Sequence, residues 1–567
     1  MSDSDRVISD YLGFGLPGED QLAQARRAAL LRGLEGSTEP TSLVSYTSAG
    51  LVLIIGPEPS ALLAAESLVG SVACFVLLTD TIDNMSFRSA GYEKRQVAGQ
   101  DVPVISGKPK KILGHLGNFE VILERGQREV ELAKVMNLAG GGIDIVLDLA
   151  RVPLLRTELL PPGYFAPAGN SSRLDQALSD IPDLVGTFEK PGYVQYNPDI
   201  CAHGERGIVG CTQCIDACPA GSLTSLAERI LVDPYLCHGM GTCAAVCPTG
   251  AMTYAYPYLA HTLDSLRRLL SSFREATDKA AVLLLYDSEH AGSAVEDAVG
   301  NVAADIIPWR IEETGSTGIE IWLSAFAYGA RSVVIVTTAC TPPSTLRVLE
   351  SQVKLADVLL DGLGYSGTCI RLIDVEHLSE LDSLAGDPSS ELTAAATYGG
   401  IDEKRVVLRF ALDHLIQAAN VSKNQIDLPT GSLFGTVEID TDACTLCMGC
   451  VSVCPSGAMG DDKDKPRLTF LEWNCVQCGI CERACPEGAI SLHARLLLDG
   501  EERMRVRTVN EESPFLCIDC GNPFTTQSMV AKMEEKLKGH RMFQGNGLKS
   551  LLSLIHISEP TRRYAIA

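Results

Sequence analysis

In the first third of the chain, apolar runs of strand length alternate with stretches of helical periodicity. LVLIIG (51–56) is followed by PSALLAAESLVG and then by SVACFVLLTD (71–80), and further apolar runs lie at FEVILE (119–124) and IDIVLDLA (143–150). This alternation predicts an α/β sheet. The turn after the first run is GPEPSA rather than GxGxxG, so no phosphate-cradling glycine loop is predicted, although Asp80 ends the second run. The longest apolar stretch (61–78) carries Glu66 and follows Pro57 and Pro59, and it reads as a buried helix feeding a strand rather than a membrane span.

Residues 281–374 repeat this texture. AVLLLY, SVVIVTT and IRLIDV predict central strands, and GIEIWLSAFAYGA (318–330) and the run 342–365 predict helices, which together give a second, flavodoxin-like α/β domain. GDPSSELTAAATYGG (386–400) has the composition of a linker, and EKRVVLRFALDHLIQAA (403–419) the periodicity of an amphipathic helix.

Composition narrows the function classes. At roughly 100–200 residues per domain, 567 residues predict about three to five domains. Lys and Arg number 47 against 71 Asp and Glu, a net charge of −24 that repels phosphate backbones, so nucleic acid is not an expected partner. The opening MSDSDRVISD lacks the basic and apolar regions of a secretory signal, and the expectation is a soluble, cytoplasmic protein with no transmembrane segment. Twenty cysteines at metal-ligand spacings fit a reducing compartment. Seventeen fall in three groups, and Cys74, Cys340 and Cys369, outside them, are expected as buried small apolar residues.

Four short stretches echo one another: CPAGSLTS (218–225), CPTGAMTY (247–254), CPSGAM (454–459) and CPEGAISL (485–492). Before them, Cys444, Cys447, Cys450 and Cys454-Pro455, then Cys475, Cys478, Cys481 and Cys485-Pro486, give CxxCxxCxxxCP twice. This resembles the bacterial-type 2[4Fe–4S] ferredoxin domain, in which three closely spaced thiolates hold one cube and the fourth cysteine reaches across to the other. The resemblance implies one [4Fe–4S] cluster on Cys444, Cys447, Cys450 and Cys485, and another on Cys475, Cys478, Cys481 and Cys454. Structural zinc needs only four ligands and leaves eight thiolates with two Cys-Pro endings unexplained.

The earlier module departs from that pattern at two places. Ile208 stands where its first cysteine belongs, and Cys201, seven residues upstream across a glycine-containing AHGERGIVG, is expected to loop back and join Cys211, Cys214 and Cys247 in a third [4Fe–4S] cluster. Met240 stands where Cys447 stands in the later module, leaving Cys237, Cys243 and Cys218. A thioether is a weak, neutral ligand for iron, so the expectation is a [3Fe–4S] cluster, with a [4Fe–4S] cluster completed by water or another side chain as the alternative. His238 is expected to tune that cluster by hydrogen bonding.

Downstream, Cys517 and Cys520 form an isolated CxxC, two of the four ligands of a zinc site, with paired structural thiols as the other reading. Residues 552–567 begin with LSLIHISEPTR, the in-frame reading of a transposon sequencing adaptor, and are set aside from fold reasoning.

The fold class expected is multidomain α/β plus α+β: two α/β (Rossmann/flavodoxin-like) domains interleaved with two ferredoxin-like iron–sulfur modules. The predicted division is an N-terminal α/β domain over 1–190, ferredoxin modules over 195–258 and 432–495, a flavodoxin-like domain over 275–385, a linker and helix over 386–431, and a CxxC region over 496–551. GYFAPAGN (163–170), FEKPGYVQYNPDICAHG (188–204) and CIDCGNPF (517–524) resemble the large cytosolic 4Fe–4S proteins encoded beside bacterial formate dehydrogenases. The stretch 315–340 is similar to the iron–sulfur delta subunit of hydrogenases, with Cys340 near that family's cysteine, although TPPSTL (341–346) lacks its partner. The resemblances imply electron transfer with a redox protein partner such as a dehydrogenase or hydrogenase. Two alternatives stay open: a flavin- or NAD-dependent oxidoreductase with its nucleotide in an α/β domain, and a metalloenzyme assembly factor or scaffold.

Overall fold

The computed structural model describes residues 3–36, 42–80, 92–125, 128–138, 142–365, 369–384, 394–419, 421–537, 539–540 and 545–558. The first sheet has the strand order Tyr164–Phe165, Ile145–Asp148, Leu51–Gly56, Ala73–Leu78, Gln100–Ser106, Glu93–Val97, parallel throughout except for the last pair. Leu51–Gly56 is continuously apolar because both faces are covered: Val52 and Ile54 face one core, Leu53 and Ile55 another. FEVILE lies in a separate antiparallel sheet of three strands, where Phe119, Val121 and Leu123 alternate onto the second core. Asp80 accepts the Glu58 backbone N–H at 3.1 Å and so caps the helix Glu58–Leu68, a structural use of the carboxylate at that strand end.

The second sheet is parallel, with order Ile306–Ile311, Val282–Asp287, Ser332–Thr337, Ile370–Asp374. Ile306–Ile311 is not predicted from the sequence because Pro308 interrupts its run. It is an edge strand, where a missing backbone donor is tolerated. Helix Ile319–Ala327 is buried on every side, including Trp322 and Phe326. Helices Asp3–Leu12 and Gln21–Gly33 belong to this body rather than to the first sheet: Ile8, Leu12 and Leu30 share its core with Leu269 and Phe273, and the Tyr286 hydroxyl donates to Leu12 O at 3.1 Å.

Helix Lys404–Ala418 buries Val407, Leu408, Ala411, Leu412 and Leu415 at helical spacing. Half of the predicted linker lies outside the described residues; the other half packs, with Tyr398 donating to Ser324 Oγ at 3.0 Å. Cys74 and Cys369 are buried as expected, whereas Cys340 is exposed in the turn after Ser332–Thr337. No described helix is long and apolar enough to cross a membrane.

Both cysteine modules build the same frame. In the first, Val194–Tyr196 pairs with Met252–Tyr254 and Leu223–Leu226 with Arg229–Val232; in the second, Gly435–Ile439 pairs with Ile490–Leu497 and Met459–Asp461 with Arg467–Leu471. Each module carries two helices of four or five residues, Gln213–Asp216 and Thr242–Val246, and Gly449–Ser452 and Ile480–Ala484.

Candidate iron–sulfur centres

Three cysteine loops share one backbone. At the second and fourth positions after Cys444, Cys475 and Cys237 the chain is left-handed: Leu446 and Met448 (φ 51° and 58°), Gln477 and Gly479 (55° and 76°), Gly239 and Gly241 (82° and 73°). Each loop then enters a short helix that carries the third cysteine inward. The Cys237 loop therefore keeps the fold of a cluster-binding loop, with Met240 at the position that Cys447 and Cys478 occupy in the other two.

In the later module the thiols converge in the crossed arrangement. Cys444, Cys447, Cys450 and Cys485 line one small cavity, and Cys475, Cys478, Cys481 and Cys454 line another. The reaching cysteines are aimed by backbone donors: Met459 N–H lies 3.5 Å from Cys454 Sγ and Ala489 N–H 3.3 Å from Cys485 Sγ. Met252 N–H donates to Cys247 Sγ at 3.4 Å in the same way in the earlier module. Gln477 Nε2 adds a bond to Cys475 Sγ at 3.3 Å.

In the earlier module, the loop from Cys201 returns through a two-strand hairpin, Gly204–Glu205 with Ile208–Val209. Cys211 N–H then donates to Ala202 O at 2.8 Å, while buried His203 braces the return with Nδ1 2.9 Å from Cys211 O and Nε2 2.7 Å from Ser225 Oγ. Cys214 is electrostatically coupled to Cys247, Cys211 and Cys201, which groups those four. Cys243 feels Cys237 and Cys218 most, and Cys214 of the first four after them, which places Cys237 and Cys218 beside it. Cys218 Sγ is 3.2 Å from Ser222 Oγ. His238 is half-buried and its Nε2 makes no hydrogen bond; burial, then Lys190, lowers its basicity.

The donor chemistry fits iron–sulfur clusters. Burial pushes the Cys211, Cys214 and Cys450 thiols up to about 12, neighbouring thiols add to the shift, and Cys475 reaches about 11. Sulfurs gathered this closely resist ionisation by themselves and become thiolates when a cation is bound among them.

Three cations that the sequence does not single out hold these loops. Lys190 Nζ donates to Cys237 O at 2.5 Å and Tyr235 O at 3.1 Å. Lys404 Nζ donates to Ala244 O at 2.9 Å and Ala245 O at 2.5 Å, at the C-terminal end of the helix carrying Cys243, and pairs with Glu320 Oε2 at 3.2 Å. Arg405 donates to Leu433 O at 2.9 Å and to Trp473 O, and lies over the Phe434 and Trp473 rings, directly before Cys475. Neither a Lys in a strand nor a Lys-Arg pair at a helix start carries a sequence signal of such a role.

The two modules also touch. Cys211 lies within electrostatic reach of Cys478, and strand Ile208–Val209 packs on helix Ile480–Ala484, so closely that a Cβ on Gly210 would sit 2.5 Å from Ile480 Cδ1.

Cys517 and Cys520 come together with His556, their ligand atoms all within 4.8 Å of one another. Burial raises the Cys517 thiol, but Ser553 and the backbone N–H groups of Cys520 and Asp519 outweigh it and bring the thiol to about 7. Ser553 and His556 both belong to the adaptor-like stretch 552–567.

Residues 193–248 and 443–490 each match a family described as a 4Fe-4S dicluster domain. The chain thus carries two such domains, which imply at least two [4Fe–4S] clusters and support a role in iron–sulfur electron transfer.

Proposed function

We propose that the chain relays single electrons between a redox enzyme partner and a second acceptor, through four iron–sulfur sites arranged in sequence. The observation that carries this reading is the packing of strand Ile208–Val209 and Gly210, next to Cys211, on helix Ile480–Ala484, which carries Cys481. Cys243 is coupled to Cys214 on one side of it, and Cys481 to Cys450 on the other. The ligand sets then follow in the order 218/237/243, 201/211/214/247, 454/475/478/481, 444/447/450/485. Neighbouring sets lie within electrostatic reach of one another through these cysteines, as an electron relay requires.

On this reading three sets hold [4Fe–4S] clusters, and the set beside Met240 holds a [3Fe–4S] cluster. The parallel sheets are flavodoxin-like scaffolds against which the modules are fixed, and a formate dehydrogenase or hydrogenase type of enzyme is the partner class. Zinc is the metal proposed for Cys517 and Cys520.

Anaerobic EPR with iron and sulfide analysis tests the relay, on wild type, Cys211→Ser and Cys478→Ser, as isolated and after dithionite. Reduction should produce spin coupling between modules that either substitution removes. Clusters that take no electron from dithionite would end the proposal.

A further inference from the structure

A cavity of about 290 Å³ lies where the carboxyl end of edge strand Ile306–Ile311 meets the first ferredoxin module and the N-terminal helices. It sits where α/β sheets place their ligands, outside the strand ends, and its volume is near the lower bound of small-molecule sites, about 300 Å³. Its deep wall includes Ala244, next in the chain to Cys243, and Ser316, whose backbone abuts Gly241 of the Met240 loop.

The wall carries aromatic rings whose polar ends are used elsewhere. Tyr254 donates to Gly239 O at 2.7 Å and Tyr11, whose ring lies under Arg310 at 5.0 Å, donates to Arg310 O at 2.9 Å, which leaves the rings of Tyr254 and of Trp309, 5.3 Å from the Tyr11 ring, as apolar lining. Charge within the wall cancels. Lys404 is paired with Glu320 at the buried end, the Arg310 guanidinium lies over the Tyr11 ring and acts on Glu312 only through its field, and burial, then Arg268, lowers the basicity of His261. A phosphate would find both carboxylates in the wall, whereas a flat, uncharged ring system finds aromatic lining to pack on.

We infer that this cavity is a binding site for an uncharged, planar two-electron carrier of two or three fused rings, the ring chemistry shared by flavins and quinones. The site stands apart from the relay reading, because it is defined by pocket walls and not by thiols. It would place an organic redox group beside the module whose loop lacks a fourth cysteine.

Equilibrium dialysis of the oxidised, full-length, cluster-loaded protein tests it, with riboflavin, FMN and 2,3-dimethyl-1,4-naphthoquinone as probes. Riboflavin or the naphthoquinone should bind, and which of them does so assigns the source. Thr262→Trp, which fills the cavity, and Trp309→Leu, which removes a stacking face, should each weaken binding at least tenfold at unchanged iron content. Glu296→Lys, an exposed change on helix Ser288–Asn301 away from the cavity, should leave riboflavin binding within twofold. The inference is overturned if neither uncharged probe binds wild type, if FMN alone binds, if both cavity variants bind normally, or if Glu296→Lys changes riboflavin affinity markedly. None of these outcomes depends on electron transfer, so the site and the relay stand or fall separately.

Discussion

Replacing Lys404 with Met should destabilise the protein and strip iron from the first module. The Lys404 side chain is 3% exposed and that of Glu320 8%, so the substitution leaves a carboxylate in the interior without its cation. It also removes one hydrogen bond from each of two helix-end carbonyls, Ala244 O, which keeps the Cys247 N–H at 3.3 Å, and Ala245 O, which keeps Gln352 Nε2 at 2.6 Å. Removing one member of such a pair costs about 3–5 kcal/mol. With a urea slope of about 2 kcal/mol/M, that corresponds to a midpoint lowered by roughly 1.5–2.5 M. Adding Glu320→Leu removes the stranded charge and should recover most of the loss. The two lost hydrogen bonds, at about 0.5–1.5 kcal/mol each, then leave a residual deficit of about 1–3 kcal/mol. The assay is anaerobic urea unfolding followed by circular dichroism for wild type, both single variants and the double variant, with iron content measured in parallel. A single-variant midpoint within about 0.3 M of wild type, or two single effects that simply add, would show that the pair is not holding the Cys243 helix.

Three further outcomes are expected. Met240→Cys restores the fourth position of a loop whose backbone already has the ligand-holding form, and should add about one iron per chain and abolish a three-iron EPR signal in the protein as isolated. Glu313 is raised to about 7 by burial and by Asp287, so its protonated form favours the fold; its contribution is whole below about 4.5 and is lost as pH rises through about 7, and Glu313→Gln should raise the thermal midpoint at pH 8 while changing little at pH 4. Ending the chain at residue 551 removes Ser553 and His556, and zinc analysis of that protein should still find metal on Cys517 and Cys520 if other ligands complete the site, and none if His556 is required.

The parts legible in the sequence are those whose physics is local. Cysteine spacing repeats with the turn of the chain, so the two later groups of four, which line separate cavities, are written in the spacing, and the hairpin that returns the chain from Cys201 to Cys211 is marked by its glycines. Continuous apolar runs gave the inner strands of both sheets. Other features depend on distant partners and left no such mark. Pro308 disguised an edge strand, FEVILE alternates correctly but joins a separate sheet, and nothing in the helical pattern of residues 3–33 says which sheet those helices cover. Cys340 was expected in a core and lies in an exposed turn, because a lone cysteine carries no periodicity to place it. Lys190, Lys404 and Arg405 were invisible for the same reason: their carbonyl partners lie tens or hundreds of residues away in the chain.

The pairing of Lys404 with Arg405 ties these observations together. They are consecutive residues at the first turn of one helix, whose apolar stripe is anchored in the core of the second sheet. Lys404 grips the helix that carries Cys243, and Arg405 grips the backbone just before Cys475, with burial lowering its basicity to about 10. A rigid helix start therefore holds both modules at once, and the separation between their cysteine sets is fixed by one peptide unit rather than by a flexible connection. Loosening either grip should disturb the contact of Gly210 with Ile480, even though neither residue touches it. For a relay, whose rate depends steeply on the gap between sites, a linker between the modules would be a poor arrangement. The α/β bodies supply what such a linker cannot, a stiff frame in which two small, cofactor-dependent modules are held at a constant distance.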